Sequence, residues 1–271
     1  MKKTLTLLLI VTMMITAFAV PASAAEDVGQ TDDYMQIENG GIETPSSSRA
    51  STVNTGLVDE VSETEAEQLA ALNRRGLSDT DKSVIYEKLT QVGTDEPITP
   101  KAVTWKYLSG FQIWKQSQSY YCVPASCKAA VQYLTGSSDS QATVASAMGT
   151  TTSGTPFSAA KTYLNGKQSS NTYVTKNYDT ALSTVQSNFY SAIHTWDAPP
   201  LISVKLTTAS GWPYSTTGHT MLITGARSDK EEFRIADPYI QWVDSSASMY
   251  YSKTASAIRT AIYNRGNGYI Y

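Results

Sequence analysis

Two cysteines and two histidines are all that the 271 residues contain. So few soft ligands, badly spaced, exclude a zinc module. A disulfide scaffold is excluded as well, because Cys122 and Cys127 lie five apart in a stretch that reads as helix. A rise of ~1.5 Å per residue separates their Cα atoms by roughly 7.5 Å, more than a bridge tolerates without distortion. No Gly-x-Ser-x-Gly elbow, His-Glu-x-x-His or phosphate-binding loop occurs, which removes the serine-hydrolase, zincin and nucleotidase readings. Basic residues form no stripe, so no nucleic-acid partner is expected. After Val20 no apolar run approaches membrane-spanning length. No cofactor and no metal are expected.

What is present begins with Met1-Lys2-Lys3, an apolar run from Leu5 to Val20 and small residues at Ala22 and Ala24. This is the layout of a secretory signal, with cleavage expected before Ala25 and no stable membrane insertion afterwards. Export makes a retained free thiol informative: it is kept for its chemistry. Charge then divides the remainder. Residues 25 to 100 carry 16 acidic and 5 basic side chains, whereas residues 101 to 271 carry 8 acidic and 14 basic. Three segments follow: a signal at 1–24, an acidic prosegment at 25–100 and a main domain at 101–271. The prosegment reads as disordered to about Gly56, then as a small helical hairpin from Val61, with Ser78-Asp79-Thr80-Asp81 starting its second helix. Pro97-Ile98-Thr99-Pro100 marks the linker.

In the main domain, Val123-Pro124-Ala125 opens a helix at Cys122 that runs through Leu134 to a stop at Gly136. Helical stretches follow around Phe157 to Leu164 and Thr180 to Ile193, and both are expected to pack the helical half. Leu201 to Leu206, His219 to Thr224 and Phe233 to Ala236 read as strands. Helices before strands imply an α+β domain with a helical half and an antiparallel sheet half.

A thiol at a helix start faces the positive end of the dipole and the free N–H groups of the first turn, which favours thiolate. Cys122 has that position; Cys127, a turn and a half deeper, reads as a small buried hydrophobe. His219 enters the apolar strand Met221-Leu222-Ile223-Thr224 and suits a general base, whereas His194 beside Trp196 and Asp197 suits a solvent-facing structural role. A hairpin through Asp229-Lys230-Glu231-Glu232 returns a strand ending at Asp237, a carboxylate able to orient the imidazole. Gln116, six before Cys122, is a candidate oxyanion donor together with the backbone N–H of the nucleophile; Gln112 and Gln118 compete on spacing alone. Tyr121 and Trp212 are the candidate substrate-binding aromatics.

Taken together, Gln116, Tyr121-Cys122-Val123-Pro124-Ala125-Ser126, Gly218-His219-Thr220-Met221 and Ala236-Asp237-Pro238-Tyr239 resemble papain-like cysteine peptidases of the bacteriocin-processing peptidase-like group (family C-39-like), over roughly Trp105 to Tyr271. The resemblance implies a papain-like fold, with oxyanion glutamine, nucleophile, base and orienting aspartate at Gln116, Cys122, His219 and Asp237. Val123 stands where the family often has glycine, and Tyr121 where it has aspartate. The expected substrate is a peptide or protein, with the acidic prosegment as the chain's own inhibitor. The same triad would also serve thiol acyl transfer or peptidoglycan amide hydrolysis, and a silent binding module would keep an unreactive Cys122.

Overall fold

The computed structural model describes residues 30–31, 53–54, 57–58, 68, 79–90 and 102–271. The expected signal, and most of the expected prosegment, including the first arm of its hairpin apart from Gln68, lie outside these residues. Among the described residues no helix is long and apolar enough to cross a membrane.

Three short strands come from the N-terminal region: β1 (Gln30–Thr31), β2 (Val53–Asn54) and β3 (Leu57–Val58). Helix α1 (Asp79–Thr90) follows at the expected helix start. Its inward face is Ile85, Lys88 and Leu89, while Val84 and Tyr86 are exposed. Residues three and four apart share a helix face, so one buried lysine stands within an otherwise apolar triplet.

The main domain opens on β4 (Trp105–Tyr107) and β5 (Gln112–Ile113), then enters α2 (Cys122–Thr135). Every residue of α2 from Cys122 to Val131 is buried. A helix enclosed all round belongs at the centre of a domain. Gly136 ends it at φ 78° and donates its N–H to Gln132 O. That left-handed conformation strains any residue with a Cβ. Next come α3 (Gln141–Ala147), capped by the Ser140 hydroxyl on Thr143 N, β6 (Thr155–Pro156) and α4 (Phe157–Lys167). Helices α3 and α4 pack on α2 and complete the helical half.

The sheet half holds β7 (Thr175–Lys176), α5 (Leu182–His194), β8 (Leu201–Leu206), β9 (Thr216–Arg227), β10 (Glu232–Ala236), α6 (Ile240–Val243), β11 (Tyr250–Thr254), α7 (Ala255–Arg265) and β12 (Tyr269–Ile270). The strand order is β11-β10-β9-β8-β12-β7, with β2 and β4 also paired to β9. Neighbours along the main path are antiparallel. At twelve residues, β9 is long enough to share each edge between two partners. One edge carries β8 from Thr216 to Leu222 and β4 from Gly225 to Arg227. The other carries β10 from Leu222 to Ala226 and β2 at Thr216 and Gly218.

The α+β expectation holds, and two of its details are corrected. Helix α5 packs on β9, β4 and α7 rather than in the helical half. Its Val185, Phe189 and Ile193 face is buried, and Phe189 meets Phe233 edge-on at 5.5 Å. Nor do all helices precede the strands, since α7 follows β11 and packs on β8.

Candidate active site

Cys122 is the first residue of α2, and the residue before it, Tyr121, provides no side-chain cap. The first bond of the helix runs from Ala125 N to Tyr121 O. The N–H groups of Cys122 and Val123 therefore have no acceptor within the helix and point to its N-terminal side. One turn on, Ser126 lies on the same face and donates its hydroxyl to Thr220 O at 3.3 Å. Thr220 follows His219, so this bond fixes the helix of Cys122 against the strand that carries His219.

His219 and Asp237 come together through the β9–β10 hairpin, at 2.9 Å between Nε2 and Oδ1. Cys122 lies close enough to His219 to favour its protonated form. With Nε2 engaged by Asp237, Nδ1 is the nitrogen left for the thiol. Burial alone would lower the imidazole. The Asp237 carboxylate and its hydrogen bond, with Cys122 behind them, overcome that and raise His219 to about 9. Burial likewise works to raise Asp237, and its interaction with His219 and its other donors overcomes it, holding the carboxyl below 3.8. Cys122, His219 and Asp237 are each 0% exposed.

Asp237 is an acceptor hub. Oδ1 also accepts from Tyr239 N at 2.9 Å, and Oδ2 accepts from Tyr214 OH and Tyr251 OH, each at 2.8 Å. Burial first, then the neighbouring Asp237 charge, raise both phenols well above 10, so they remain donors. These tyrosines come from the loop before β9 and from β11. Nothing local in the sequence marks Tyr251 for this role. Tyr214 is visible only as one aromatic among many.

Gln116 is buried in the loop leading to Cys122. Its Nε2 donates to Gln118 O at 2.8 Å, and the same carbonyl accepts from Tyr121 N at 3.1 Å. The turn thus brings the Gln116 amide alongside the start of α2, with one of its two N–H donors outside that bond. From the other side, Gln116 N donates to Pro238 O at 2.9 Å, and Trp242 Nε1 of α6 donates to Gln116 O at 2.7 Å. Of the competing glutamines, Gln112 belongs to β5, and Gln118 contributes its carbonyl and has an exposed side chain. Tyr121 is half-buried and meets Tyr120 edge-on at 5.0 Å. Trp212 is buried and packs edge-on against Tyr251, so it touches the site through that ring.

Both cysteines are free. Cys127 is wholly buried, and burial, then the nearby Cys122, push its thiol far up. His194 departs from the solvent-facing expectation: it is half-buried, with its ring stacked on Tyr190 at 4.0 Å. Burial, then Lys106, lower it. Among the described residues no group of His, Cys, Asp and Glu could hold a metal ion.

A central helix opening on a cysteine, packed against an antiparallel sheet that supplies a histidine bonded to an aspartate, defines a papain-like α+β domain. The Peptidase C39 like family matches residues 108–267, and the chain belongs to that family of cysteine-peptidase-like proteins. Among solved structures, the peptidase domain of Streptococcus ComA, a bi-functional ABC transporter involved in a quorum-sensing pathway, is 18% identical. That match covers 59% of this chain and 96% of the other, with a TM-score of 0.39. A comparison with functionally characterised proteins gives no match.

Proposed function

We propose that the protein is a secreted cysteine peptidase made as a precursor, with Cys122 as nucleophile, His219 as general base and acid, and Asp237 as the orienting carboxylate. The observation that carries this reading is the buried His219–Asp237 hydrogen bond, with Cys122, also buried, close enough to His219 to raise its imidazole. The Cys122 thiolate attacks the scissile carbonyl carbon, and His219 passes the thiol proton to the leaving amine. Water, deprotonated by the same imidazole, then releases the acyl group from sulfur. The oxyanion is received by the Cys122 backbone N–H and the Gln116 side-chain amide. The charge contrast between residues 25–100 and 101–271 supports the N-terminal region as the chain's own inhibitor.

The test is hydrolysis of an unfolded polypeptide library by the chain, cut at a specific protease site introduced in the Pro97–Pro100 linker, with Cys122→Ala and His219→Ala alongside. Cleavage by the parent chain and loss of cleavage in both variants are expected. No cleavage by the parent, with Cys122 alkylated no faster than in His219→Ala, would make a silent binding module the better reading.

A further inference from the structure

Beyond Ala236, where β10 ends, the edge of β9 from Thr216 to Gly218 is open to strands from outside the sheet's main path. Val53 and Asn54 fill it, pairing in parallel with Thr216 and Gly218. Gly218 directly precedes His219. Three residues after Asn54, Leu57 and Val58 pair in parallel with Thr155 and Pro156, at the entry to α4 in the helical half. Three Cα–Cα steps of about 3.8 Å limit Asn54 and Leu57 to roughly 11 Å apart. One short stretch is thus hydrogen-bonded to the sheet half beside the base and to the helical half as well. Both reacting groups, Cys122 and His219, are 0% exposed in the chain that carries this stretch.

Two further contacts hold the same N-terminal region on the far edge of the sheet. Gln68 pairs its side-chain amide with the backbone of Thr175 in edge strand β7, donating to Thr175 O at 2.8 Å and accepting from Thr175 N at 2.6 Å. In α1, the Lys88 ammonium donates to Asn171 Oδ1 at 2.6 Å and Thr172 O at 3.0 Å, and lies 4.3 Å from the centre of the Trp196 ring. The Tyr271 hydroxyl donates to Lys88 O, and Lys176 Nζ to Leu89 O.

Resting on the reading of Cys122 as nucleophile, we propose that the β2–β3 stretch is a strap occupying the substrate groove. The open β9 edge at Thr216–Gly218 is then the docking edge for substrate, and the substrate class is an extended, unfolded polypeptide that adds to that edge as a strand. Strand addition reads backbone, so it admits varied sequences while refusing a folded surface. The strap and substrate compete for one edge, so latency ends when the strap leaves. Because Gln68 and Lys88 hold the region elsewhere, cutting the linker frees the groove only in the molecules from which that region dissociates.

The test uses the full chain and reads alkylation of Cys122 by iodoacetamide, with peptide mass spectrometry separating it from Cys127, beside hydrolysis of casein. Variants are Asn54→Pro, which removes a strand N–H, and replacement of residues 53–58 by a Gly-Ser segment of equal length. Alkylation of Cys122 is expected to rise by about tenfold or more in both, as for a site freed from a closed state. Cys127 should stay unlabelled, and a synthetic peptide of residues 51–60 should slow Cys122 again. Equal Cys122 rates in parent and both variants overturn the strap. Labelling of Cys127 marks unfolding of a variant. The peptide then decides on the other variant: no slowing overturns the proposal. Faster alkylation with no casein hydrolysis sinks the peptidase reading while leaving the strap standing.

Discussion

Four donors converge on Asp237, from His219, Tyr239 N, Tyr214 and Tyr251. A carboxylate so surrounded stays ionised and holds the imidazole in one orientation. The sign of the resulting pH dependence follows from the two shifts. His219 is raised from 6.5 to about 9, so its contribution to stability is complete below 6.5 and is lost as pH rises through about 9. Asp237 is lowered, so its contribution is present above 3.8 and is lost as pH falls through its lower folded value. The stability gap between the parent and Asp237→Asn should therefore be widest from about pH 4 to 6.5, narrowing on either side. Urea unfolding across pH measures it, and a gap that widens toward pH 9 would contradict the pairing. Cys127 gives the opposite expectation. With its thiol wholly buried and pushed up, Cys127→Ser, introduced in the chain whose residues 53–58 are replaced, should retain casein hydrolysis while losing on the order of 1 to 3 kcal/mol of stability, the range for a buried hydroxyl lacking a good partner. Loss of hydrolysis in a folded Cys127→Ser protein would sink the assignment of Cys122.

At the scale of elements, the pieces that carry the candidate site are those the sequence states best. Pro124 in the first turn and Gly136 at the end bracket α2, and the strand readings at Leu201, His219 and Phe233 fall within β8, β9 and β10. The signals were strong there because apolar positions are many and terminators are specific. The two-residue strands are too short to show a period. Helix α7 buries only Ala255, Ile258, Ala261 and Ile262, too weak a stripe to stand out among its polar neighbours. In α1 the buried Lys88 interrupts the apolar face of Ile85 and Leu89, so its periodicity is weak. Since Gly136 sits at φ 78°, Gly136→Ala should cost about 1 kcal/mol in unfolding free energy. Cys122 alkylation should be unchanged, because that cap lies at the opposite end of α2 from the thiol.

Across the whole molecule, the N-terminal region meets the main domain at β9 within the sheet and at its edge strand β7. Lys88 is the contact with a readable pH response. Burial lowers its ammonium to about 7 from 10.5. The groups around it are Asn171, the Thr172 carbonyl and the Trp196 and Tyr271 rings, with Lys176 bonded to the next carbonyl along α1. The undocked region binds the extra proton between those two values, so docking weakens as pH falls from about 10.5 to about 7 and then levels off. In chain cut at the linker, the fraction of N-terminal region co-eluting with the domain on gel filtration should fall over that range. Lys88→Met, which keeps the length and drops the charge, should flatten the response. A response identical to the parent's would remove Lys88 from the account.

By itself the sequence determined the order and local setting of the site: a thiol where a helix starts, a glutamine six residues before it, a histidine entering a strand, and an aspartate where the returning strand stops. Each depends on near neighbours, through turn chemistry, periodicity or a hairpin. The tertiary structure alone decided that Tyr214 and Tyr251 meet on Asp237, that Ser126 ties α2 to β9, and that Val53–Asn54 lies against Gly218. These partners are far apart in sequence or on separate elements. Their meeting is fixed by how the elements pack, which no local pattern encodes.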